Sequence, residues 1–139
     1  MQFTPAEKAT VLERMKAIPE TNADRASKLK ELFNDAGCNG NSLTEQKVEG
    51  TDAPNIICRL GAEEGDTVIV GAHYDRNSSA KRPLDNWSGA AILPALYQSL
   101  RSRKRSHSFV FVAFSDSGAN PLGAEFFVNH LTRTRLDHA

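Results

Sequence analysis

Thr67-Val68-Ile69-Val70-Gly71-Ala72-His73-Tyr74-Asp75 begins as a nearly continuous apolar run and ends in three polar-tipped side chains. A run of this length, rich in β-branched residues, is a strand covered on both faces, as at the centre of a sheet. Phe109-Val110-Phe111-Val112-Ala113-Phe114 is a second such run. Between them Ser88 to Leu100 has the spacing of a helix, with Pro94 placed to bend its middle. Gly123 to about Thr132 reads as another helix. Strand, helix, strand, helix with buried strands is the order of an α/β sheet with crossover connections.

Upstream, Thr4-Pro5-Ala6-Glu7 is a capping box with proline at the first helical position. Val11, Leu12, Met15 and Ile18 then share one helical face, and Pro19 ends the run. A second helix spans Ala23 to Ala36, its apolar stripe being Ala26, Leu29, Leu32, Phe33 and Ala36, with Gly37 as the stop. Both helices read as packing elements. Leu43 to Glu49 and Asn55 to Leu60 follow as strands, and Gly61 to Gly65 makes a turn between strands.

The 139 residues suit a single domain, residues 1–139, with a real core. Hydrophobic residues at 40% and charged residues at 24% place it among ordinary globular proteins. Seventeen basic residues balance seventeen acidic ones, so no charge footprint points to nucleic acid or to a membrane surface. The basic run Arg101-Ser102-Arg103-Lys104-Arg105 reads as a solvated loop. No apolar stretch approaches the roughly 20 residues a spanning helix needs. Met1 to Ile18 is charged throughout and is not a signal segment, which leaves cytoplasmic and mature secreted placements open. Cys38 and Cys58 are too few for a disulfide framework and are expected reduced and buried, with pairing open in an oxidising compartment.

Ligands of open α/β sheets bind beyond the carboxyl ends of the strands. His73 projects from such an end, with Asp75 two residues on and toward the same side. A carboxylate there can accept from the far nitrogen of a metal-binding imidazole and fix its orientation. Asp85, in Leu84-Asp85-Asn86-Trp87-Ser88-Gly89, precedes a helix N-terminus. Taken singly, His73 is a satisfied buried histidine or a ligand, and Asp85 a helix cap or a ligand; spacing leaves both open. Ser88 is not in a G-x-S-x-G elbow, so a serine-hydrolase reading is disfavoured. His107 and His130 read as surface residues.

The segments Val68 to Asp75, Asp85-Asn86-Trp87-Ser88-Gly89-Ala90-Ala91 and Phe111-Val112-Ala113-Phe114 closely resemble the M28 family of zinc aminopeptidases. The likeness extends back through Pro54-Asn55-Ile56-Ile57 and forward through Leu122-Gly123-Ala124-Glu125-Phe126-Phe127. It implies a three-layer α/β sandwich with a mixed, mostly parallel central sheet of the zinc-exopeptidase type. It also implies zinc as cofactor and peptide N-termini as partners. By the family pattern His73 is a zinc ligand, Asp75 orients it, and Asp85 bridges two zincs. Trp87, beside the site, either lines a substrate pocket or packs against the sheet.

The departures from the family are as informative. After the second buried strand the family places two adjacent glutamates, a general base and a ligand of the second zinc. Matching Leu122-Gly123-Ala124 without gaps puts Ser117 and Gly118 at those positions. Serine is no carboxylate base and glycine carries no donor atom. The further aspartate and histidine ligands lie beyond the end of this chain, and Asp137 and His138 follow the wrong kind of element to replace them. The chain stops just after a helix, where another strand is expected, so the domain reads as truncated. The expected outcome is an M28-like domain with hydrolysis lost or severely impaired and zinc held weakly or not at all. The alternatives are a weak metal-dependent aminopeptidase completed by Asp116, Glu125 or a second subunit, and a non-catalytic binding or assembly module. An unpartnered buried-type strand further predicts a homodimer or a strand-swapped assembly.

Overall fold

Helix α1 (Lys8–Lys16) and helix α2 (Asn22–Asp35) precede strands β1 (Leu43–Gln46), β2 (Asn55–Leu60) and β3 (Thr67–His73). Helix α3 (Trp87–Arg101), strand β4 (Ser108–Phe114) and helix α4 (Leu122–Asp137) follow. This computed structural model describes residues 8–16, 18–62, 65–76, 86–116 and 120–137. The expected capping box, Thr4 to Glu7, lies outside the described residues.

The strands form one mixed sheet in the order β1-β2-β4-β3. Alternation along β2 and β4 sends side chains to opposite faces. Ile56, Cys58, Leu60, Phe111 and Ala113 join Leu29, Phe33, Ala90 and Leu93 of α2 and α3 in the main core. Ile57 and Val112 turn the other way and pack with Phe127 of α4. Helices on both faces make this the expected three-layer α/β sandwich. The mixture of directions within the four strands is different: β1–β2 and β2–β4 are antiparallel, and β3–β4 alone is parallel. Only β3 and β4 are joined by a helix, and a parallel neighbour needs such a crossover.

The sheet order corrects one further expectation. β3, read as a central strand, is an edge strand, with Val68 39% and Ile69 41% exposed; β4 holds the centre. Gly61 to Gly65 lies between β2 and β3, as read, and β4 separates those two strands in the sheet. Its described ends lie beside the start of β4. There the Ala62 N–H donates to Ser108 Oγ at 3.0 Å and Asp66 O accepts from the Ser108 N–H at 3.1 Å.

α2 follows its sequence closely. Thr21 Oγ1 accepts from the Asp24 N–H at 3.0 Å as the N-cap, and Gly37 leaves the helix at φ 104°, the left-handed conformation glycine permits. All five stripe residues are buried. On α1, by contrast, Leu12 remains 44% exposed. Cys38 and Cys58, expected as thiols, form a disulfide with Cα atoms 6.3 Å apart. The stop at Gly37 turns Cys38 directly onto the middle of β2, within bridging distance. The basic run is also more than a solvated loop. Arg105 donates to Leu100 O, Arg101 O and Arg103 O, each at 2.9 Å, and to Gly61 O, also at 2.9 Å. It thus satisfies the carbonyls that end α3. Arg101 donates to Ala36 O at 2.7 Å, joining α3 to the end of α2.

Candidate metal centre

The parallel pair β3–β4 ends with His73 beside Phe114, so the residues following each strand emerge side by side. That adjacency brings together His73 and Asp75 from β3 and Asp116 from β4. One candidate ligand atom from each lies within 4.8 Å of the others. His73 is half-exposed, its side chain 49% accessible, with its ring 5.9 Å from that of Phe114. Asp75 and Asp116 are buried.

Asp116 is the site residue whose role spacing did not reveal. Its Oδ2 contacts His73 Nδ1. Its Oδ1 accepts from the Gly123 N–H at 2.8 Å and the Ala124 N–H at 3.2 Å. These are free donors in the first turn of α4, where a negative charge is also favoured by the helix dipole. A carboxylate ahead of L-G-A at a helix start is the signal that could have marked it as a cap; its reach to His73 depends on the path of the chain out of β4.

Asp75 is held by Asn86, whose Nδ2 donates to Asp75 O at 3.1 Å and lies 3.4 Å from Asp75 Oδ1. Asn86 sits at φ 62° just before α3, a left-handed conformation asparagine tolerates better than most residues. Beneath the site, Arg25 of α2 donates to Tyr74 O at 2.9 Å and to Pro19 O at 3.0 Å. α2 therefore supports the strand end that carries the site as well as filling the core. The Tyr74 hydroxyl donates to Pro54 O, and burial pushes the phenol pKa upward, so it stays protonated.

The remaining sequence candidates divide. Asp85, Ser117 and Gly118 lie outside the described residues. Trp87 is fully buried, with the Arg25 guanidinium 5.8 Å from its ring centre. It belongs to the core cluster between the sheet and α2. Glu125 is exposed in the first turn of α4 and stands outside the His73 group. His130 is half-buried, its Nδ1 2.8 Å from Phe126 O; His107 is exposed, as read.

An imidazole nitrogen and two carboxylates are donors that zinc accepts, so the group fits zinc in kind. His73, Asp75 and Asp116 are the described residues that could hold it. Both oxygens of Asp116 are already engaged, Oδ2 by His73 and Oδ1 by the α4 N-terminus, and His73 Nε2 is the ring nitrogen directed away from that pair.

The fold has counterparts among known proteins. The Legionella pneumophila LapA aminopeptidase superposes with TM-score 0.71 at 19% identity, covering 91% of this chain and 38% of that one. A glutaminyl cyclase from Fimbriiglobus ruber superposes with TM-score 0.74 at 14% identity, covering 99% and 59%. BSAP, a zinc aminopeptidase from Bacillus subtilis, is 28% identical over 56% of this chain and 20% of its own, with TM-score 0.51. The chain thus spans less than two thirds of the length of each. A search of the curated proteins returns no match. The profile described as peptidase family M28 matches residues 55–138, from the start of β2 through the whole of α4. The chain belongs to peptidase family M28.

Proposed function

We propose that this chain is a zinc-binding M28-type domain in which peptide hydrolysis is lost or severely impaired. The observation that carries the reading is the state of Asp116. With Ser117 and Gly118 at the positions of the family's two glutamates, Asp116 is the nearest carboxylate in the chain to that position. Both of its oxygens are engaged, Oδ2 by His73 and Oδ1 by the first turn of α4. A general base needs a lone pair within reach of the proton it takes, and of the roughly four acceptor positions of a carboxylate the His73, Gly123 and Ala124 contacts already occupy most.

Zinc, when bound, supplies a Lewis acid that polarises a carbonyl and lowers the pKa of a bound water. This chain's own contribution is to present His73 from the end of β3 and to hold its ring against Asp116. The family points to peptide N-termini as the substrate class. A second reading, weak hydrolysis with Asp116 as the substitute base, has the proximity of Asp116 to His73 in its favour. It requires that carboxylate to leave the α4 N-terminus.

Zinc content by elemental analysis, combined with hydrolysis of aminoacyl p-nitroanilides, tests the reading. The expected result is zinc that exchanges readily and no turnover above that of a His73→Ala variant. Tightly held zinc in proportion to chain, together with turnover abolished by His73→Ala, would restore the hydrolase.

A further inference from the structure

We propose that Asp116 is the positioning residue of the site, holding the His73 proton on Nδ1 so that Nε2 is presented bare as the metal donor. The inference deepens the zinc-binding reading, yet its first test needs no metal. Asp116 is 5% exposed and reaches His73 from a different strand, with its other oxygen fixed by two backbone N–H groups. Those two donors hold the carboxylate in one orientation. An ionised carboxylate against Nδ1 can only accept. The nitrogen facing it must therefore carry a proton, and in the neutral ring the remaining nitrogen, Nε2, keeps its lone pair. An unconstrained imidazole prefers the opposite tautomer, with the proton on Nε2, so the arrangement predicts a departure from ordinary behaviour.

The carboxylate at His73 Nδ1 is not the one to which the H-x-D spacing points. Asp75, the residue expected from the H-x-D spacing to orient His73, has Asn86 against both its backbone and its side-chain oxygen. The carboxylate found at His73 Nδ1 comes instead from β4. It occupies the residue immediately before the two positions, 117 and 118, at which the family glutamates are replaced. The carboxylate of this segment acts through the histidine, from behind it.

The test is long-range proton–nitrogen correlation on the uniformly nitrogen-15-labelled, metal-free chain, at about pH 9, well above the imidazole range. A His73→Gln variant assigns the signal. The expected spectrum shows His73 with a protonated Nδ1 and a bare Nε2. After zinc is added, Nε2 shifts while Nδ1 keeps its proton. A His73 ring with its proton on Nε2 overturns the proposal, as does loss of the Nδ1 proton on zinc binding. The Asp116→Ala variant should revert to the ordinary tautomer and weaken zinc binding about 10- to 100-fold, the usual effect of removing a carboxylate behind a ligating histidine. Where that variant fails to fold, the spectrum of the unaltered chain decides alone. Failure of the zinc-binding reading leaves a distinct trace: the Nδ1-protonated tautomer without any response to zinc.

Discussion

Asn55 opens β2 with its side chain fully buried and every hydrogen-bonding group turned inward. Its Nδ2 donates to Gly123 O and Gln46 Oε1, each at 2.9 Å, and its Oδ1 accepts from the Ser115 N–H at 2.9 Å. One side chain thereby ties the start of β2 to the exit of β4 and to the first turn of α4, the two segments that place Asp116. Glycine is required opposite it. A Cβ at Gly123 would lie 2.5 Å from both Asn55 Oδ1 and Ser115 O. Replacing Asn55 by alanine leaves a buried N–H and a buried C=O without their partner, at about 1–3 kcal/mol for each such group. Asn55→Ala should therefore lower the unfolding free energy by about 3 kcal/mol, read as a shift of the urea midpoint without a change in slope. A loss below about 0.5 kcal/mol would mean that water replaces the side chain.

At the scale of elements, the strongest constraint joins α2 to β2. The Cys38–Cys58 bridge closes a segment of 20 residues that contains β1 and the turn before it. By the loop-entropy relation such a closure limits the unfolded chain by about 3 kcal/mol. The Cys38→Ala, Cys58→Ala double variant should lose stability of that order in denaturant melts, whereas reductant should leave its melt unchanged. An identical urea midpoint for the two proteins would show that core packing alone fixes α2 on the sheet. The elements themselves were legible from residues: Asn55 to Leu60 as a strand to the residue, α2 from its stripe and its glycine stop, and α3 and β4 within one residue at each end. Pairing was not. Val68 and Ile69 read as buried because β-branched runs usually are, and nothing local to β3 states that β4 takes the place beside β2. The site was legible by halves for the same reason. His73 and Asp75 stand on one strand at a spacing that can be counted. Asp116 meets them only because β3 and β4 are parallel neighbours and the chain beyond Phe114 turns back toward α4.

For the molecule as a whole, the edge of β3 is the feature without a partner among the described residues. Edge strands are ordinarily blunted by a charge, a proline or a bulge. Thr67 to Ala72 contains neither a charged residue nor a proline. The Tyr74 N–H donates to Phe114 O and Asp66 O accepts from the Ser108 N–H. By the alternation of a parallel ladder, Ile69, Gly71 and His73 turn their backbone groups away from β4. We propose that a second copy of this chain docks there, antiparallel across a two-fold axis. With Gly71 opposite Gly71, Ile69 faces His73, and the acidic Asp66 of one copy falls against the basic Arg76 of the other. Such a register continues the sheet through the dimer and covers Val68 and Ile69, the large apolar residues that β3 leaves exposed. Light scattering should then give twice the chain mass at high concentration, falling to the single mass on dilution. Ile69→Lys should shift the equilibrium to monomer at least about 10-fold, since an ammonium at the centre of a paired edge loses its hydration. The unaltered chain remaining monomeric at high concentration would remove the second copy as the occupant of this edge. A dimer indifferent to Ile69→Lys would place the contact on another surface, with the exposed Leu12 of α1 as the next position to test.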